Sequence, residues 1–249
     1  MKVFFHPDFY QVYTSDPAAD PGRMEAIVQA IESEVTFITP KPAHEADIKL
    51  VHPQAHMDWV KKQSLYDIAA LAAGAAIETA IAGLNAPSFG LLRPPGHHAS
   101  ADSCWGFCYF NNMAIAMAAT IQKNLVRTAG ILDIDMHYGD GTVNILGHQR
   151  NVSVFNPETN DRSLYLKQVE QFLNNCRADL IGISAGFDNH IDDWGGVLLT
   201  SDYSDIGRMV AKTAKRNQGG CFGLLEGGYN HAVLGQNVRA LIQGLSGNA

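Results

Sequence analysis

Strand-like and helix-like segments alternate along the whole chain, and this alternation restricts the architecture more than any other feature. Short apolar or β-branched runs cover Lys2 to Phe5, Val35 to Thr39, Ile48 to Val51, Ser88 to Arg93, Ala129 to Asp135, Asn151 to Phe155, Leu180 to Ser184 and Cys221 to Glu226. Between them, Met24, Ile27, Val28 and Ile31 fall at helical spacing, and a polar loop with a short helix spans His52 to Gln63. Leu65 to Leu84, Met113 to Lys123, Leu164 to Cys176, Ser201 to Lys215 and His231 to Leu245 also read as helices. The first of these is rich in alanine on several faces, so it packs tightly on more than one side. The pattern predicts an α/β fold: a doubly wound, mostly parallel sheet with helices on both faces. With no internal repeat, low-complexity stretch or linker, the 249 residues are expected to form a single domain over 1–249.

Composition excludes some classes. Apolar residues make up 46% of the chain and charged residues 17%, which supplies a large core and argues against disorder. A net charge of -7 disfavours nucleic acid as a ligand and suits a cationic substrate, although it also serves solubility. Cys104, Cys108, Cys176 and Cys221 form no C-x-x-C pair and suggest no disulfide framework. The N-terminal MKVFFHPDFY lacks the apolar core of a signal peptide, and no run approaches a membrane span, so a cytoplasmic protein with no membrane partner is expected.

The chemistry sits where predicted strands end, which is where open α/β sheets place their ligand sites. Arg93-Pro94-Pro95-Gly96 can be neither helix nor central strand, so a rigid loop delivers His97 and His98 to one place. An isolated His-His pair more often packs or caps; the other motifs give this one its meaning. In Asp133 to Gly141, DIDMHYGDG, strand alternation would point Asp133, Asp135 and His137 the same way. Two carboxylates and an imidazole at a strand end make a cation site. Asp188, in SAGFDNH at the end of another strand, stands where a third ligand is needed. Two aspartates and one histidine suit Zn²⁺ with a position left for water, and also suit Fe²⁺ or Mn²⁺. In Leu225 to Asn230, LEGGYN, two glycines allow close approach of the backbone to a ligand, and the Tyr229 phenol can donate to a polarised carbonyl.

Taken together, RPPGHHA, GFCYFNN (Gly106 to Asn112), DIDMHYGDG, SAGFD and EGGYN resemble the motifs of the histone deacetylase family, in order, within the arginase-like superfamily that also holds acetylpolyamine amidohydrolases. The resemblance implies Asp135, His137 and Asp188 as metal ligands. It implies His98 as general base and acid and His97 as its electrostatic companion, with Asp133 orienting His97 and Asp140 orienting His98. Tyr229 would bind the scissile carbonyl, and Gly106 and Phe107 would wall the acyl channel. Arg23, after Pro21-Gly22, resembles the family's arginine beside an internal channel. A structural K⁺ near Asp133 and the backbone of Asp135 and His137 is implied as well.

The chain departs from the family at the rim. Only HPQAHMDWVKKQS lies between Val51 and Leu65, and only NPETNDRS between Phe155 and Leu164. An acidic rim residue and a second aromatic wall have no counterpart there, and one K⁺ position falls on either Ser153 or Asn156. Trp194 lies near the rim position. The expected function is metal-dependent removal of an acetyl or small acyl group from an amine such as acetyl-lysine or an acetylpolyamine. A homo-oligomer could complete the shortened rim. An arginase-like two-metal ureohydrolase and a non-catalytic acyl-group or metal sensor on the same fold are the alternatives.

Overall fold

The computed structural model describes residues 1–247; the last two positions of the expected 1–249 domain lie outside the described residues. In chain order the elements are β1 (Lys2–Phe4), α1 (Arg23–Ile31), β2 (Thr36–Ile38), α2 (Glu45–Ile48), α3 (Gln54–Lys62), α4 (Tyr66–Gly83), β3 (Ser88–Gly90) and α5 (Asn112–Gln122). They continue with β4 (Ala129–Asp133), α6 (Asp140–Leu146), β5 (Val152–Phe155), α7 (Arg162–Asn175), β6 (Leu180–Ala185), α8 (Thr200–Arg216), β7 (Gly220–Leu225) and α9 (His231–Ser246). Every strand pairing is parallel, in the order β2-β1-β3-β7-β6-β4-β5.

Strands β4, β6 and β7 are buried along their whole length. Their runs, AGILD, LIGISA and GCFGLL, are apolar without alternation, as expected of a parallel sheet covered on both faces. On one face Gly182 of β6 lets α5 come close, since a Cβ there would meet Met113 and Met117. On the other, Gly223 of β7 faces Leu245 of α9. Helices α4 and α5 pack against each other, as do α9 with α1 and α8. A smaller apolar cluster of Ile48, Met57, Val60, Phe110 and Ile115 joins α2 and α3 to α4 and α5.

Three local expectations give way. Ile48 to Val51 is not a strand: Glu45–Ile48 is a helical turn, and Ile48 and Val51 both pack into the smaller cluster. Three-residue spacing on a turn puts both side chains on one side, which a strand would not. Helix α6, not anticipated in GDGTVNIL, begins within the last two residues of the DIDMHYGDG motif. Helix α4 has 18 residues and is apolar enough to cross a membrane by length and composition, contrary to the expectation that no run comes close. It is mostly buried in the fold, as the alanines that let it pack on several sides require.

The strand order positions the site. β3, β7, β6 and β4 are neighbours at the centre of the sheet. The loops leaving their carboxyl ends carry, in that spatial order, the histidine pair, Tyr229, Asp188 and the Asp135–His137 pair. Four segments far apart in sequence therefore open onto one edge.

Candidate active site

A cavity of about 310 Å³ opens at this edge, lined by His97, His98, Trp105, Gly106, Phe107, His137, Trp194 and Tyr229 among others. The histidine loop is held by what surrounds it. Arg93 donates to the backbone carbonyls of Gln11 and Asp20 at 3.0 Å each, and Asn112 donates to Pro94 O at 3.0 Å. The amides of Gly96 and His97 donate to Glu226 Oε2 at 2.7 and 3.2 Å.

Each imidazole has its own carboxylate: His97 Nδ1 lies 3.0 Å from Asp133 Oδ2, and His98 Nδ1 lies 2.7 Å from Asp140 Oδ1. The two environments push the rings apart. Burial opposes charge on His97, yet Asp135 and then Asp133 hold its pKa well above the usual histidine range. Burial, and then repulsion from His97, push His98 down to about 4. Opposed shifts in adjacent groups mark a division into charged and neutral partners.

Strand β4 ends at Asp133, so Asp135 and His137 stand on the loop beyond it rather than on a continuing strand face. The backbone turns because side chains capture it: Asp133 Oδ1 accepts from the Asp135 amide at 3.1 Å and Asp135 Oδ1 from the His137 amide at 2.9 Å. The convergence expected from strand alternation is reached through these turns instead. His137 Nδ1 lies 3.1 Å from both Asp135 Oδ1 and Asp188 Oδ2, and one donor atom from each residue fits within 4.8 Å of the others. The Met136 amide donates to Asp188 Oδ1 and the Gly227 amide to Asp135 Oδ2, which aims both carboxylates. Burial first, and then Asp135, raise Asp188 to about 7; the hydrogen bonds to both aspartates raise His137 to about 10. Two buried carboxylates crowded on one imidazole need a positive charge between them, and this oxygen–nitrogen donor set fits a divalent cation.

Tyr229 stands on the opposite wall. Burial pushes its phenol far above the usual range, so it remains a hydrogen donor. Trp194 stacks on its ring at 4.1 Å between centroids, and Phe107 meets it edge-on at 6.1 Å. Gly106 has a left-handed φ of +57°, and a Cβ there would run into His98, so both its backbone and its space require glycine. Arg23 is buried behind this wall, off the cavity. Its guanidinium donates to Gly228 O at 2.8 Å and Glu226 O at 2.6 Å and lies 5.5 Å from the Tyr229 ring centroid. It therefore supports the tyrosine loop from behind.

Three residues with a part in this geometry were not singled out from the sequence. Trp105 donates from Nε1 to Asp140 Oδ2 at 2.9 Å and covers His98 at 3.8 Å between ring centroids. Asp193 Oδ2 accepts from the amides of both Tyr229 and Asn230 at 2.8 Å. Glu226 braces the histidine loop. Glu226 lies inside EGGYN, and Trp105 directly precedes Gly106-Phe107, so both were adjacent to recognised motifs. Nothing local in Asp192-Asp193 distinguishes one aspartate from the other.

The shortened rim segment Asn156–Asn160 borders a second, polar groove of about 590 Å³ on the far side of Trp194. The sheet register sets Phe155 beside Leu132, which brings Asn156 level with Asp133; Ser153 lies farther back, opposite Gly130. Asn156 Oδ1 accepts from the Gly139 amide at 2.8 Å. All four cysteines are free.

Comparison with known proteins agrees with this arrangement. The histone deacetylase domain profile matches residues 59–165 and 147–245. A probable deacetylase of Methanothermobacter thermautotrophicus is 29% identical over 98% of this chain and 91% of its own. A histone deacetylase-like amidohydrolase of Pseudomonas aeruginosa is 28% identical over 88% of this chain and 73% of its own. Among solved structures, the HD domain of HDA15 superposes with a TM-score of 0.82 at 22% identity, covering 100% of this chain and 90% of that one.

Proposed function

The chain belongs to the histone deacetylase family and shares its deacetylase or amidohydrolase function; on that premise we propose that it removes acetyl or another small acyl group from primary amines, using one Zn²⁺ held by Asp135, His137 and Asp188. A cation bound there would acidify a water molecule and polarise the amide oxygen. His98, held neutral, accepts the proton of the attacking water at Nε2, while Asp140 steadies its Nδ1–H. Tyr229 donates its phenol proton in a hydrogen bond to the oxyanion that develops on the amide carbon. His97, held at Nδ1 by Asp133 and packed against the His98 ring, is the electrostatic companion of that base. The imidazolium of His98 then protonates the leaving amine, which returns the ring to its neutral form. Phe107, Trp105 and Trp194 exclude water and hold the slim alkyl part of the amine.

The observation that carries this reading is the pair of adjacent imidazoles, each held at Nδ1 by its own carboxylate, beside the converging Asp135, His137 and Asp188 and the Tyr229 phenol at one cavity. A site that only binds a ligand or a metal needs no such pair of carboxylate-oriented imidazoles. Turnover of a fluorogenic acetyl-lysine amide, an acetylated peptide and an acetylated polyamine tests it. Because the rim is short, little binding energy is available from remote parts of the substrate. All three are therefore expected to turn over with kcat/KM values within about a hundredfold, roughly 2.7 kcal/mol. Absence of turnover on all three in metal-loaded protein rules the hydrolase reading out and leaves a sensor.

A further inference from the structure

A second group of buried donor atoms shares His97 with the proposed reaction but adds Cys108 and Glu226, to which that reaction gives no role. A ring nitrogen of His97, Cys108 Sγ and a carboxylate oxygen of Glu226 lie within 4.8 Å of one another. All three residues are buried, none more than 3% exposed. His97 Nδ1 is committed to Asp133, which leaves Nε2 as its available donor. Glu226 Oε2 takes the amides of Gly96 and His97, but Oε1 has no hydrogen-bond partner among the described residues. A buried carboxylate oxygen without a partner is costly, and it belongs to the same carboxylate that groups with a thiol and an imidazole.

We propose that His97, Cys108 and Glu226 form a second, buried site for a soft or borderline divalent cation, and that filling it inhibits the enzyme. A thiolate, an imidazole and a carboxylate match the preferences of Zn²⁺, Co²⁺ and Cd²⁺, and discriminate against Mg²⁺ and Ca²⁺. The charge closes: on binding, the Cys108 S–H bond breaks, its proton leaves to solvent, and a sulfur–metal bond forms. The His97 Nε2–H proton leaves to solvent as well, so the ring coordinates as neutral imidazole, and the thiolate and the Glu226 carboxylate balance the two positive charges. Access runs through the catalytic cavity, because His97 lines it. Inhibition follows from the same atoms, since a metal held by His97 would occupy a ring that lines the catalytic cavity beside His98; that part alone rests on the function proposed above. The first set, Asp135, His137 and Asp188, contains no sulfur. The two sites therefore differ in spectroscopy as well as in affinity.

The test adds Co²⁺ to protein carrying one equivalent of Zn²⁺ and follows metal bound by dialysis together with near-ultraviolet absorbance. A second ion per chain is expected, accompanied by a thiolate-to-cobalt charge-transfer band. Cys108→Ser and Cys108→Ala should bind one ion and lose the band, and Asp188→Ala should keep the band while losing the first ion. Glu226→Gln should weaken the second ion by at least about tenfold, the cost carried even by an outer-shell partner. Added Zn²⁺ should lower turnover of an acetyl-lysine amide in the parent, and lower it less in whatever activity Cys108→Ser retains. A stoichiometry of one at high metal overturns the site, and so does a band that survives in both Cys108 variants. If one Cys108 variant does not fold, the other and Glu226→Gln carry the same comparison. Failure of all acylated amines to react, with the band intact, would sink the proposed function and leave the second site standing.

Discussion

Tyr229 is placed by a residue that never faces the cavity, and breaking that link should be visible in kcat. Asp193 Oδ2 accepts from the Tyr229 and Asn230 amides at 2.8 Å, and Oδ1 accepts from the Trp194 amide at the same distance. The carboxylate thus ties the tyrosine loop to the segment whose indole stacks on the phenol. Hydrogen bonds to a charged group are worth about 1.5–3 kcal/mol each. Asp193 is half-buried, so water would recover part of that. Removing one donor to a developing oxyanion costs about 10²–10³ in kcat, which caps what misplacing Tyr229 can do. Asp193→Ala should therefore lower kcat roughly ten- to a hundredfold, or about 1.4–2.7 kcal/mol, with KM little changed because the contact serves the transition state. Asp193→Asn keeps an acceptor oxygen and should lose less than about tenfold by the same reckoning. The decisive measurement is steady-state kinetics on Tyr229→Phe and on the Asp193→Ala/Tyr229→Phe double variant. If Asp193 acts through Tyr229, the double variant is no slower than Tyr229→Phe by more than about twofold. Losses that multiply would refute the argument and give Asp193 a separate role.

Other consequences are equally specific. His98→Ala should slow turnover by roughly 10²–10⁴ while metal content, read by elemental analysis, stays at the parent's level. Asp188→Ala should lose both the catalytic ion and activity. His52 donates from Nδ1 to Ala101 O and accepts the Asn111 amide at Nε2, an arrangement of the neutral ring, and burial pushes its pKa down to about 4. The unfolded chain takes this proton near pH 6.5 and the folded one only near 4, so stability should fall as pH drops through that window, by about 3 kcal/mol in all. Urea midpoints from pH 7 to 4.5 should show the slope, and His52→Gln should flatten it; an unchanged slope counts against the assignment. A Cβ on Gly141 would meet the Ala99 backbone at 2.5 Å, so Gly141→Ala should cost about 1–3 kcal/mol of stability, measured by denaturant unfolding, and loosen the Asp140–His98 pair.

The sequence alone determined the class of fold and the motif residues that meet at the cavity. Apolar runs without alternation, bounded by turn residues, suit strands covered on both faces, and helices between them call for parallel connections; that logic is local, and it failed at Ile48 to Val51. The motif residues announce themselves because each lies where a strand must end, and His97, Asp135, His137, Asp188 and Tyr229 do meet at one edge. The order of the strands was not legible. Only the central placement of β3, β7, β6 and β4 makes neighbours of loops more than a hundred residues apart. Nor could periodicity see that β4 stops at Asp133, because the turn beyond it is made by aspartate side chains capturing backbone amides. Local composition likewise hid the long-range partners. Arg23 reaches the backbone of Gly228 from behind Tyr229, Asp193 and not Asp192 holds the tyrosine loop, and Trp105 reaches across to Asp140. A side chain's hydrogen-bond partner depends on which backbone or side-chain atoms tertiary packing brings within about 3 Å, and spacing along the chain carries no record of that distance.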